Sequence, residues 1–380
     1  MTNHIAFYQF CSAVRRKGAL ALCLALCVLG LGLSGSAHEP RPSITTIDAP
    51  GAGTAASQGT VADGDNARGA IMGYYLDGSN VLHGFLRAPD GRFTTIDAPG
   101  AGTAANQGTV ANALNTEGAI VGYYTDASNV NHGFLRAPDG RFTRIEAPGA
   151  GTSGGQGTFA MDINPAGTIA GAYLDESYVF HGFQRAPDGR FTTYEAPGAG
   201  TAAYQGTGPA SFSGLNPAGA VTGNYVDASY VVHGFVRAPD GWITTFDAPG
   251  AGTGASQGTW GTSINPAGAI AGYYCDATTC HGLLRAPDAA ITTFDVPGAQ
   301  GSEADSINPE GAIAGCYWDA SNVYHGFIRA RDGAITTFDA PGAGTAAWEG
   351  TFPWSNDPAG RTFGYYIDTS GVAHGFMRTP

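Results

Sequence analysis

The chain has 380 residues, 59 of them Gly and 22 Pro, so about a fifth of it favours turns, yet 43% is apolar, enough for a large core and too much for a disordered low-complexity chain. Glycine keeps no period of three, which excludes a collagen-like helix. Only 13% of the residues are charged, and a formal net charge of −13, with Lys17 the single lysine, argues against nucleic acid or an anionic membrane surface as partner.

Residues 1–37 read as a secretory signal peptide. Arg15, Arg16 and Lys17 form its basic start, and Ala19–Leu33 its apolar run, short for a membrane span. Ser34, Gly35, Ser36 and Ala37 supply the small residues that cleavage needs. The alternative is a retained N-terminal anchor. Cys23 and Cys27 each follow Leu, which argues against lipid attachment. The expected mature protein is secreted or periplasmic, with no membrane insertion after cleavage. It keeps 15 Arg against 31 acidic residues. Residues 38–43 read as a short linker, and 44–380 as one domain.

That domain is repetitive. His-Gly-Phe, once His-Gly-Leu, recurs with its histidines at His83, His132, His181, His233, His281, His325 and His374. A period near fifty residues indicates a propeller or a solenoid. Each repeat holds four strand-like stretches. In one of them the first ends at Ser306-Ile307-Asn308, the second runs from Ala312 to Asp319, the third from Tyr324 to Ala330 and the fourth from Ile335 to Asp339. Tight turns of Asn-Pro-Ala-Gly and Pro-Asp-Gly type separate them. The domain begins on an orphan fourth strand, Ile44 to Asp48, and ends on a third strand, His374 to Pro380. If the first completes the last, every strand type is present seven times. The expected fold is therefore all-β: a seven-bladed β-propeller of four-stranded antiparallel blades, closed by the N-terminal strand completing the last blade.

The pattern Ile-Asn-Pro-x-Gly-x-Ile-x-Gly followed by His-Gly-Phe resembles the bacterial extracellular HAF-repeat proteins, over all seven repeats and with Gly in place of the Ala of the name-giving tripeptide. That family is defined by its repeat, so the resemblance implies export and a propeller-like fold and assigns no catalytic residue.

Comparing the repeats shows which positions recur. A carboxylate follows His by 14 residues in the pairs His83/Asp97, His132/Glu146, His181/Glu195, His233/Asp247, His281/Asp295 and His325/Asp339. If the Pro-Asp-Gly hairpin is a three-residue turn with a bulge, Ala88 opposes Arg92 and His83 faces Asp97. His374 should then face Asp48. Seven identical pairs suit a cross-strand fastening better than catalysis. Tyr-x-Asp ends each second strand, from Tyr75/Asp77 to Tyr366/Asp368, with Asp expected to cap the next loop and Tyr to pack on the neighbouring blade. Gly149 to Gly154 matches G-x-G-x-x-G, but a strand follows it where a dinucleotide site needs a helix.

Cys275 and Cys280 flank a four-residue turn, which suggests a disulfide, with a metal pair beside His281 the weaker reading; Cys316 is left as a small buried residue. Long connections all fall on one face of such a disc, where binding groups are expected. There the connection Pro297–Asn308 is short and carries Glu303 and Asp305, suggesting a notch, and Trp260, Trp318, Trp348 and Trp354 fall at loop or strand-end positions nearby. These six residues are the candidate ligand contacts. The sequence implies no cofactor, no metal and no catalytic residue. The expected function is non-catalytic binding of a carbohydrate or cell-surface ligand, the partner being a polysaccharide or glycoconjugate. The alternatives are a polysaccharide lyase or glycoside hydrolase, with Glu303, Asp305, Tyr317 and the His325/Asp339 pair in acid–base roles, and a structural envelope protein.

Overall fold

A computed structural model describes residues 42–209 and 214–380. The signal at 1–37 and most of the linker at 38–43 lie outside the described residues. Among these the chain forms 28 β-strands and no helix, all joined in one hydrogen-bonded sheet.

The strands pair in fours. In the first repeat Gly59–Asp65, Ile71–Leu76, Leu82–Arg87 and Phe93–Ile96 each pair antiparallel with the next. Gly91 at φ 89° closes the Pro-Asp-Gly hairpin, where the Ala88 amide donates to the Arg92 carbonyl at 2.8 Å. That turn fixes the register Phe85↔Thr95 and Arg87↔Phe93. Most first strands carry a bulge, at Ala62/Gly64 in the first repeat, which adds twist. At the chain ends Gly350–Asn356, Thr362–Ile367 and Ala373–Thr379 are joined by the N-terminal Ser43–Ile47, which pairs antiparallel along the last strand from Ser43↔Thr379 to Ile47↔Gly375.

Alternation puts one side of each third strand into the core. Phe85, Phe134, Phe183, Phe235, Phe327 and Phe376, with Leu283 at the exceptional copy, are fully buried. Each packs between neighbouring units: Phe85 lies in one cluster with Ile47, Ala62, Ile71 and Phe363.

Two polar ladders align successive units. A hydroxyl at the second position of each first strand accepts the backbone amide that follows the preceding fourth strand, as Thr60 does from Ala49 at 2.9 Å. At the far end Asn66, Asn115, Asn164, Asn216, Asn265 and Asn308 each donate a side-chain N–H to the backbone carbonyl of the same position one unit on, ending at Asp357. Asp357 has no amide to give. There Arg361 holds Asp357 and reaches Asp65 of the first unit at 2.5 Å. Ser355 also donates to the Asp63 carbonyl at 2.6 Å, and Gly59 pairs with Ala373. Gly59 sits at φ 115°, and a Cβ there would lie 1.9 Å from the Ala373 carbonyl oxygen, so this crossing admits only glycine.

Candidate functional site

The long-loop face is built from a seven-fold polar arrangement. His83 donates from Nδ1 to Asp97 at 2.8 Å, across the third and fourth strands. His132–Glu146, His181–Glu195, His233–Asp247, His281–Asp295 and His325–Asp339 repeat the contact at 2.5–2.9 Å, and His374 reaches Asp48 of the N-terminal strand at 3.0 Å. The other ring nitrogen faces a second carboxylate that sequence reading left to the loop alone. Asp126 and Asp175 lie 3.2 Å from Nε2 of His132 and His181, and Asp77 lies 3.6 Å from that of His83. The same aspartates cap their loops: Asp77 accepts the amides of Ser79 and Val81 at 2.7 and 2.9 Å. Tyr75 stacks on His83 with ring centres 5.0 Å apart while packing beside Ala49 and Ala52 of the neighbouring unit. A ring bonded at Nδ1 in all seven copies, stacked on one face, and bonded also at Nε2 in His132, His181 and His374, fastens strands together. Burial lowers the basicity of His132, but its bonds to Glu146 and Asp126 outweigh this and raise its pKa. The Glu195 hydrogen bond raises that of His181 against burial. Burial likewise works against ionisation of Asp276, but hydrogen bonds from Thr278 and Thr279 hold it at about 2.

Above these fastenings, adjacent units meet through paired left-handed residues. The amide of Asn106 donates to the Asn80 carbonyl, and Ser57/Gly371, Gly155/Asn129, Tyr204/Tyr178, Ser256/Tyr230 and Trp348/Asn322 repeat that bond at 2.7–2.8 Å. Each residue of these pairs has positive φ. Asn and Gly tolerate that region and bulky side chains do not. The repeats thus share one backbone at these junctions while its side chains differ. Four are large aromatics: Tyr178, Tyr204, Tyr230 and Trp348, with Tyr204 44% and Trp348 46% exposed. A position-by-position comparison of the repeats would have singled out the three tyrosines, since Asn80, Asn129 and Asn322 stand where Tyr178 and Tyr230 do.

At the opposite end, under the tight turns, a cavity of about 320 Å³ lies between the first strands of the last unit and the first three. Asp63, Asp65, Asn112, Asp162 and Ser355 line it. Asp63 is 3% exposed and neither carboxylate oxygen has a hydrogen-bond partner, so burial drives its pKa well up. Burial also raises Asp65 to about 7 against the pull of Arg361, and Asp162 to about 6 against bonds from the Leu215 and Ile163 amides. No group of three or more His, Cys, Asp or Glu suited to a metal ion occurs among the described residues.

No protein-family model matches the chain, and no curated protein matches it. Solved structures resemble it over nearly their whole length. A catalytically inactive variant of virginiamycin B lyase from Staphylococcus aureus, with quinupristin, is 14% identical, with 90% of this chain and 100% of that chain covered and a TM-score of 0.55. The β-propeller domain of the Trilobed protease from Pyrococcus furiosus, described as having an open velcro topology, is 7% identical, with 84% and 95% covered and a TM-score of 0.51. A lectin from Burkholderia pseudomallei is 10% identical, with 81% and 91% covered and a TM-score of 0.50. The fold is that of a β-propeller. At these identities the likeness reaches the fold and stops there.

The propeller scatters the six residues expected to contact ligand. Trp260 lies mid-strand in Gly258–Ile264, 8% exposed, stacked on Tyr273 and packed with Val226 and Val232, so it fills a gap between units. Trp318 ends its strand and covers Gly301, where a Cβ would lie 2.1 Å from the indole. Trp354 is also a strand residue, half-buried and edge-on to Tyr365. Glu303 and Asp305 are not loop residues either. The strand Gly301–Ile307 begins four residues after Pro297, because its alternation matches that of the other first strands. Glu303 pairs across with Cys316, whose thiol lies 3.9 Å from the carboxylate, while Tyr317 pairs with Ser302 and stacks on His325. Successive strand residues point to opposite faces, so Glu303 and the Tyr317–His325 pair do not share a cleft. Trp348 alone of the six is well exposed. Cys275 and Cys280 are joined by a disulfide.

Proposed function

We propose that this chain is an exported, seven-bladed β-propeller of the HAF-repeat kind that binds a carbohydrate or cell-surface ligand on its long-loop face, without catalysis. Seven sets of four strands, the pairing of Ser43–Ile47 with Ala373–Thr379, and the contacts of Arg361 and Ser355 with the first unit support a disc closed by its own ends. The basic, apolar and small-residue segments of 1–37 support export.

One observation carries the binding role. Tyr178, Tyr204, Tyr230 and Trp348 hold strained left-handed conformations at the junctions between units, where sister repeats place Asn, Ser or Gly. A bulky residue in that region costs of order 1–3 kcal/mol and persists where it serves function. Exposed aromatic rings with defined orientation are groups that stack on sugars. The lectin among the similar propellers agrees in kind. The lyases among the similar structures favour the second reading, but Glu303 faces away from Tyr317 and His325, which weighs against the cleft expected for it.

The test is a glycan array probed with the exported chain, together with incubation on uronic-acid polysaccharides. Retention by a glycan class without turnover is the expected result. Release of unsaturated product would replace the binding reading with the lyase.

A further inference from the structure

Three of these aromatics lie next to one another at successive junctions. Tyr178 and Tyr204, from the third and fourth units, have ring centres 5.8 Å apart at 41°. The Tyr178 hydroxyl donates to the Gly154 carbonyl at 3.0 Å. The Tyr230 hydroxyl donates to the carbonyl of Ala203, next to Tyr204, at 3.2 Å. The two bonds occupy the hydroxyls of Tyr178 and Tyr230, which are half-buried and pack inward beside Met161 and Leu174 and beside Val226 and Trp260, while Tyr204, 44% exposed, presents the most open ring between them. The row runs over the loops of two adjoining units, an elongated footprint suited to a chain and oversized for one sugar. Its surroundings are acidic: Asp175, exposed Glu176 and Asp227 lie in the same loops, and no Arg does. A polymer of uronic acids would meet repulsion there.

We propose that Tyr178, Tyr204 and Tyr230 form a stacking platform for an uncharged polysaccharide strand that crosses the junctions around the fourth unit. This rests on the long-loop binding role above and adds the residues and the charge class of the ligand. Stacking on preoriented rings costs little ordering on binding, because each side chain is already held. The strain accepted at three positions is spent on a surface that the Asn-bearing repeats do not offer.

The test uses the protein's own repeats as donors of the substitutions. Y178N, Y204N and Y230N together install the residue that sister positions Asn129, Asn106 and Asn80 already carry in the same backbone conformation, so the backbone is kept, and a cooperative melt with an unchanged far-UV spectrum checks that the variant folds. Affinity electrophoresis is run in gels containing a neutral β-glucan, a soluble chitin derivative or polygalacturonate. The parent is retarded by a neutral polymer and not by polygalacturonate, and the triple variant loses at least tenfold in affinity. Trp242→Arg, on a tight turn at the other end where sister repeats have Arg, leaves retardation unchanged. Equal retardation of parent and triple variant overturns the platform while the binding role stands. Retardation by polygalacturonate alone, or capture of a polyproline peptide in preference to any glycan, also overturns it. No retardation of the parent by any of the three polymers withdraws the binding role and the platform together.

Discussion

Asp63 is a buried carboxyl where two sister repeats have hydrogen-bond donors. Asn112, in the same register, donates to the Ala160 carbonyl of the next unit at 2.9 Å, and Thr262 donates to that of Ala304 at 2.8 Å. The corresponding carbonyl for Asp63 is that of Ala111, and neither carboxyl oxygen of Asp63 makes a hydrogen bond to it. Asp63→Asn supplies the donor and removes the buried acid, so urea denaturation at pH 7.5 should show a gain of about 1–3 kcal/mol; a loss would mean that the acid has a partner of its own. The histidine fastenings act on a smaller scale. His233→Ala removes one cross-strand pair and a stacked ring, and should cost of order 1 kcal/mol with glycan retention unchanged. Counting across a three-residue turn is enough to place His83 beside Asp97, because hairpin register follows turn type. No such count reaches Asp77, whose carboxylate comes back to the same ring through a loop of irregular path. Chain order likewise says nothing of Trp318 lying over Gly301, where a Cβ would meet its ring at 2.1 Å.

Among the elements, strands and turns were readable for a physical reason: each is short, alternating and stopped by Gly or Pro, and the same pattern recurs through the chain. Strand limits were less so. The first strand of the sixth unit claims Glu303 and Asp305 from the connection before it, since backbone pairing with Ile313–Trp318 begins at Gly301. The hairpin that precedes this strand is one residue shorter than its sisters and is bridged by Cys275–Cys280, directly paired across the two strands. A bridge closing so short a loop removes little chain entropy, about 2 kcal/mol at most. Replacing both cysteines by Ala should lower stability by that amount or less in a denaturation curve, and binding should survive. The N-terminal strand has more at stake. Without residues 43–48 the last third strand becomes an exposed edge and His374 loses Asp48. Such a truncation should aggregate or lose several kcal/mol, on the order of the larger effects known for single changes; a truncated chain as stable as the parent would refute closure by the chain ends.

Across the whole molecule the buried acids set the response to pH. Burial raises Asp63 and Asp162, and Asp65 to about 7, so the folded state takes up protons that the unfolded chain, with carboxyls near 3.8, releases. Their contribution is full below that unfolded value and fades as pH rises through about 6 and 7. His132 and His181, raised above 6.5, act in the same direction. The capping aspartates Asp77, Asp126, Asp175 and Asp368, held below 3.8 by backbone amides against their burial, lose their contribution as pH falls below that value. Thermal midpoints should therefore peak between about pH 4 and 6 and decline towards pH 8; a midpoint that climbs from pH 5 to 8 would contradict the assignment of neutral buried carboxyls.

Six of the side-chain rungs at the tight-turn end are amides bonded to carbonyls, and the seventh position, Asp357, gives way to the ion pair of Arg361 with Asp65. A carboxylate can take up a proton where an amide cannot, and burial raises Asp65 to about 7, so the rung between the last-made and first-made parts of the chain changes charge near neutral pH while the amide rungs do not. Amide-proton exchange at Ile71 and Phe363, beside that contact, should quicken beyond the intrinsic rate as pH rises through about 7, more than exchange at the equivalent positions of other repeats.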